Sequence, residues 1–129
     1  MRLYHYCCSC SAKRITARGF LRPFGAQLFD VDMVWLTDQA EPDREGLGLT
    51  SHLLKCDRLE HQYVVDVDPS EVERWLDSSV RASLAREVGF YEFEDGRQPE
   101  TWWIARRPVF AIRNRAYVSP GAFSLRTAR

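Results

Sequence analysis

Runs of strand-forming residues outnumber helical stretches in this chain, and that imbalance constrains the fold more than any other feature. Leu3 to Cys7 is short, aromatic and apolar, as a strand requires. Val31 to Thr37 (Val-Asp-Met-Val-Trp-Leu-Thr) reads as a buried strand, and His61 to Val67 (His-Gln-Tyr-Val-Val-Asp-Val) is β-branched and aromatic. Thr101 to Ile104 and Pro108 to Ile112 add one further strand, or two interrupted by Pro108. A doubly wound parallel sheet needs a helix at nearly every crossover, and with only two helices in view it is not the expected fold. The expectation is an α+β fold whose sheet carries mixed strands and two main helices.

The first helix is expected from Ser9 or Ser11, as cap, through Arg18, with Ala12 and Ile15 on its inner face. Gly19 stands where a C-terminal glycine belongs, and Lys13, Arg14 and Arg18 suit the negative end of the dipole. The second helix has the clearest start signal in the chain. Asp68-Pro69-Ser70-Glu71 offers a capping carboxylate, a proline at the first helical position and a glutamate three residues after the cap. Val72, Trp75, Leu76, Val80 and Leu84 follow at helical spacing, which predicts a helix from Pro69 to Glu87, closed by Gly89. Asp38 to Gly48 reads as a polar loop and a candidate flap over a site. Tyr91 to Phe93 reads as a short extended piece, and the tail from Ala116 carries turn residues and ends in Arg126 to Arg129, which are expected to fray.

At 129 residues, with 45% apolar and 12% aromatic content, one domain spanning 1–129 is expected to form a real core. Lys plus Arg and Asp plus Glu both number 18, so no global charge draws the chain to polyanions, which leaves only a local groove for nucleic acid. Lys13 and Lys55 are the sole lysines, so the cationic side chains are overwhelmingly planar guanidiniums. No apolar stretch approaches the ~20 residues of a membrane span, and the start of the chain lacks a targeting pattern. Cys7, Cys8, Cys10 and Cys56 make a poor disulfide framework, so reduced thiols in a cytoplasmic protein are expected. Cys7 and Cys10 have CxxC spacing, but together with Cys56 and His52 they do not complete a zinc ribbon, because Cys56 has no paired neighbour. No metal is expected.

Period-two alternation sends His5 to the strand face opposite Tyr4 and Tyr6. The pattern Leu3-Tyr4-His5-Tyr6, a helix of about two turns, and then Gly19-Phe20-Leu21-Arg22-Pro23 resembles the opening of the ADP-ribosyltransferase superfamily. Val34-Trp35-Leu36-Thr37-Asp38 is similar to that family's second motif. The resemblance covers the first third of the chain by motif and the remainder only by element order. It implies a bent, split sheet with NAD in the cleft. It also implies that His5 bonds the adenosine-side ribose, that the Tyr6 backbone pairs with the nicotinamide amide, and that Trp35 or Thr37 lines the nicotinamide wall.

Cleaving the nicotinamide bond of NAD builds oxocarbenium-like charge on the ribose, which a carboxylate stabilises. The family's late-strand glutamate has no counterpart within Trp102-Trp103-Ile104. Glu100, just ahead of that strand, is the preferred catalytic candidate beside His5, with Glu92 and Glu94 as the others. RNA 2′-phosphotransferases, relatives within the superfamily, use arginines and histidine instead, which keeps Arg58, Arg106 and Arg107 open as phosphate-binding groups. The expected activity is transfer of ADP-ribose from NAD to a protein or nucleic-acid acceptor. The alternatives are the phosphotransferase reaction, a catalytically silent interaction module of the same fold and, from the Cys7–Cys10 spacing, a zinc-stabilised binding domain. Trp102 and Trp103 are expected on opposite faces of their strand, one of them core.

Overall fold

The computed structural model describes residues 1–25, 31–43, 47, 58–86 and 94–116. Its strands are β1 (Arg2–Cys7), β2 (Phe24–Gly25), β3 (Asp32–Thr37), β4 (His61–Asp66), β5 (Val72–Arg74), β6 (Trp102–Ala105) and β7 (Ile112–Ala116). Its α-helices are α1 (Ser9–Arg18) and α2 (Ser79–Leu84). Six strands form an open sheet in the order β5-β6-β3-β1-β4-β7, and β2 pairs with the start of β3. Every pairing among the described residues is antiparallel, which corrects the expectation of a mixed sheet. With so few helices available for crossovers, antiparallel pairing is the arrangement the connections permit. The α+β class stands.

Alternation along the strands builds a core on each face. Leu3 and Cys7 of β1, Val34 and Leu36 of β3, and Tyr63 and Val65 of β4 are buried with Ala12 and Ile15 of α1. Tyr63 also ties α1 to the sheet, donating to the Ala12 carbonyl at 3.1 Å and lying 3.0 Å from the Thr16 hydroxyl. On the other face Met33, Trp102 and Ile104 pack with Trp75 and Val80. Trp102 and Trp103 do take opposite faces: Trp102 is buried in this second cluster, and Trp103 packs against the first.

α1 matches its expected span and inner face. Its cap differs, because Cys8 holds the N-cap position without a side-chain capping bond to a backbone amide. Glu60, at the threshold of β4, serves instead, accepting from the Ser9 amide at 3.2 Å and the Ser9 hydroxyl at 3.0 Å. Gly19 closes the helix at φ 82°, in the left-handed region that favours glycine.

The helix expected from Pro69 to Glu87 is replaced by shorter pieces. Asp68 does cap, accepting from the Ser70 amide at 2.9 Å, but only a single turn, Pro69–Glu71, follows. Val72 then turns extended (φ −131°, ψ 156°) and pairs with Ala105, making β5 the edge strand beside β6. A second single turn, Trp75–Asp77, drops Trp75 into the core, and Ser78 starts α2 by accepting from the Arg81 amide at 3.1 Å. Ladder bonds to β6 outweigh weak helix propensity at Val72, and the Asp77-Ser78-Ser79 run favours a cap over a helix interior. The strand expected from Pro108 to Ile112 is likewise displaced. Val109 makes an isolated bridge with Leu21, and the regular strand lies beyond it as β7. Glu87, Gly89 and Tyr91 to Phe93 lie outside the described residues, as does the chain beyond Ala116.

Candidate functional site

Registered pairing between the two central strands is short. Met1 and Val67 exchange backbone hydrogen bonds, at 3.0 and 2.9 Å, which fixes the alternation along β1. Odd-numbered residues of β1 therefore direct their backbone groups toward β4, and Tyr4 and Tyr6 direct theirs toward β3. On β3 the Asp38 amide bonds to Thr101, so Trp35 and Thr37 direct theirs toward β1. A continued ladder would match Tyr4 with Thr37 and then Tyr6 with Trp35. The pairing of β1 with β3 is confined to Tyr4–Thr37, whereas β1 pairs with β4 from Arg2–Asp66 to Cys7–His61.

In the seam beyond the Tyr4–Thr37 pair stands His5. Its Nδ1 lies 2.8 Å from the Trp35 carbonyl oxygen. A carbonyl only accepts, so Nδ1 carries the hydrogen and Nε2 presents a lone pair. The residue as a whole is half-buried, but desolvation of its ring pushes the pKa below the ordinary 6.5. The bond to Trp35 acts the other way, and the positive charge of Arg58 adds to the lowering. The imidazole is thus neutral at pH 7, a hydrogen-bond acceptor with a guanidinium in its field.

Tyr6 leaves on the opposite face. Its phenol donates to the Gln39 carbonyl at 2.7 Å, with the Ala40 carbonyl at 3.0 Å, and accepts from Gln62 Nε2 at 2.8 Å. Gln62 also donates to Ala40 at 3.0 Å, and it is almost wholly buried. Gln39 extends the network, since its Nε2 donates to Gln98 Oε1 at 2.6 Å and its amide donates to Thr37 Oγ1 at 3.2 Å. The start of the expected flap is thereby pinned over the sheet. Of that loop, residues 38–43 and 47 are described.

The remaining sequence candidates are dispersed: by alternation Trp35 and Thr37 direct their side chains to the sheet face opposite His5. Thr37 is buried at the paired end of the seam. Trp35 is half-buried, with its ring 4.9 Å from Trp75 and 5.9 Å from Trp102, so it belongs to the second core. Arg58 is exposed, close enough in charge to be felt by His5. Glu100 is exposed in the single turn Pro99–Thr101 ahead of β6. Thr37 pairs with Trp102, so Glu100 stands near the Thr37 end of the seam rather than beside His5. Along the strand it is roughly 10 Å from the level of Trp35.

Glu94 is not a free carboxylate. It accepts from Trp75 Nε1 at 2.6 Å and from both Arg81 Nε and Nη2 at 2.9 Å. Those bonds hold its carboxyl below the usual range, Arg81 first among the causes, and its role is structural. Arg106 and Arg107 are exposed on the bend after β6 and are not joined to His5. Cys7 and Cys8 are buried and Cys10 is exposed, and no group of three or more possible metal ligands occurs among the described residues. Glu92, Cys56 and His52 lie outside those residues.

Sequence reasoning missed Gln62 and Gln39. A glutamine between His61 and Tyr63 is indistinguishable in sequence from an outward-facing strand residue until its partner, Tyr6, is known. No described helix is long and apolar enough to cross a membrane. The chain matches no protein-family model, no curated protein and no solved structure.

Proposed function

We propose that the chain binds NAD along the seam between β1 and β3 and transfers its ADP-ribose to a protein or nucleic-acid acceptor, as an ADP-ribosyltransferase-like enzyme. The observation that carries this reading is the end of registered pairing between β1 and β3 at His5, with Nδ1 committed to Trp35. The committed hydrogen leaves Nε2 as an acceptor suited to a ribose hydroxyl. Arg58 supplies positive charge for a pyrophosphate near the same ring. A dinucleotide extended from His5 toward Thr37 would bring its nicotinamide ribose toward Glu100, whose carboxylate then stabilises the developing cation.

A second reading is a silent binding module of the same fold. The exposure of Glu100 favours it, because a catalytic carboxylate gains most from a site that excludes water. Incubation with NAD labelled in the adenylate half, with and without cell lysate, separates the two. Released nicotinamide and labelled macromolecules support the transferase. Saturable NAD binding without either supports the silent module, and absence of binding removes both.

A further inference from the structure

Away from the seam, the end of α1 and the segment after β6 meet through the Leu21–Val109 bridge, whose amides and carbonyls bond at 2.9 and 3.0 Å. The bridge buries Leu21 and Val109 and sends their neighbours outward. Phe20 and Phe110 thus come into contact, ring centroids 5.0 Å apart, with Phe110 67% exposed. Arg18 lies over the Phe20 ring at 5.7 Å, and its Nε has no hydrogen-bond partner although the atom is buried. Arg22 and Arg107 flank the bridge on its two strands, and Arg106 follows; all three are exposed. Among the described residues none of these four arginines has an acidic partner within salt-bridge distance. Two exposed carboxylates bound the strip: the strand registers, continued past Ala105, bring Glu71 toward Arg106 and Asp32 toward Arg107.

This combination is unusual for a chain of zero formal charge. Guanidiniums gathered without carboxylate partners repel one another, and the exposed ring of Phe110 gives up burial, costs that the Phe20–Phe110 and Arg18–Phe20 contacts offset only in part. Together they offer π-faces beside fixed positive forks, which is what stacked bases on a phosphate backbone require. We propose that the strip formed by Arg18, Phe20, Arg22, Arg106, Arg107 and Phe110 binds single-stranded nucleic acid. Bases stack on the Phe20–Phe110 pair and phosphates lie against the arginines. A duplex, whose bases are already stacked, cannot use the rings. The proposal does not depend on NAD binding.

The test is fluorescence anisotropy of a labelled twelve-nucleotide single strand, as dT and as U, against full-length protein over a range of salt. Expected is saturable binding of one or both single strands, at least tenfold tighter than that of a duplex of equal length. Phe110→Ala should weaken binding about tenfold or more while leaving the circular dichroism unchanged, since the side chain is exposed. Arg107→Ala should lower the salt slope by about one without changing the preference for single strands. Phe110→Leu serves as a second variant that keeps apolar area and removes the π-face, and it should also weaken binding. No binding at low salt overturns the proposal. So does a polyglutamate peptide binding as tightly as the oligonucleotide, or full affinity retained by both Phe110 variants.

Discussion

His5 and Trp35, thirty positions apart, are joined by a 2.8 Å hydrogen bond from the imidazole Nδ1 to a main-chain carbonyl, beside the Tyr4–Thr37 pair of β1 and β3. A side chain thereby supplies a donor to the Trp35 carbonyl where the registered pairing between the strands ends.

Desolvation of the His5 ring, which outweighs this bond, sets a pH dependence. The folded pKa of His5 lies below the unfolded value of 6.5. Above that value both states are neutral and the full stability is present. As pH falls below it, the unfolded chain takes up a proton that the folded chain refuses, and stability declines until the lowered folded pKa is reached. His5→Asn places a non-titrating donor in the position of Nδ1. Denaturant unfolding between pH 7.5 and 5 should show a decline in wild type that is smaller in His5→Asn, and identical profiles would refute the assignment.

Tyr6→Phe should destabilise by about 1–3 kcal/mol, because it leaves Gln62 Nε2 and the Gln39 carbonyl short of a partner in a buried setting. The measurement is chemical denaturation, paired with hydrogen exchange at Gln39 and Asp43. Faster exchange at both amides is expected, since the phenol pins that stretch.

Glu94 should prove to be a structural anchor. Glu94→Gln weakens the forked bond to Arg81 and the bond to Trp75, and should cost about 1.5–3 kcal/mol near neutral pH. Its folded pKa lies below the unfolded 4.5, so the contribution is present above that value and is lost as pH falls through the folded one. The difference between wild type and variant should therefore shrink below about pH 4.5. Trp75→Ala, which empties core volume, should cost about 3–5 kcal/mol.

The strands were legible because β-branched and aromatic runs declare a half-buried pleated surface whatever their neighbours are. The step at Val72 was not, because Val72, Trp75 and Val80 satisfy helical spacing while being buried in two different cores. Only the partner strand, with Ala105 opposite Val72, decides between the two readings. The capping signal at Asp68 was read correctly, and the length of what it caps was not, since a cap fixes where a turn starts rather than how far it runs. Around the seam, His5 and its face were legible from alternation. The Tyr6–Gln62–Gln39 network was not, because it joins three distant segments that only the strand order brings together.

Glu100→Gln keeps the size of the side chain and removes its charge. Under the transferase reading it should leave NAD affinity nearly unchanged and lower turnover by about a hundredfold, some 2.7 kcal/mol at the barrier. Steady-state release of nicotinamide measures this. Turnover preserved in that variant would shift the chemistry to the arginine-based scheme, with Arg58 the first position to substitute.

The central claim is that the seam between β1 and β3 is the NAD site, and a titration of isotope-labelled protein with NAD, followed by amide and side-chain NMR, tests it most directly. Saturable shifts are expected at Tyr6, Trp35, Thr37 and the His5 ring, with β7 undisturbed, and those shifts should be lost in His5→Ala. Spectra unchanged at millimolar NAD, or saturable shifts confined to residues away from β1 and β3, would contradict it.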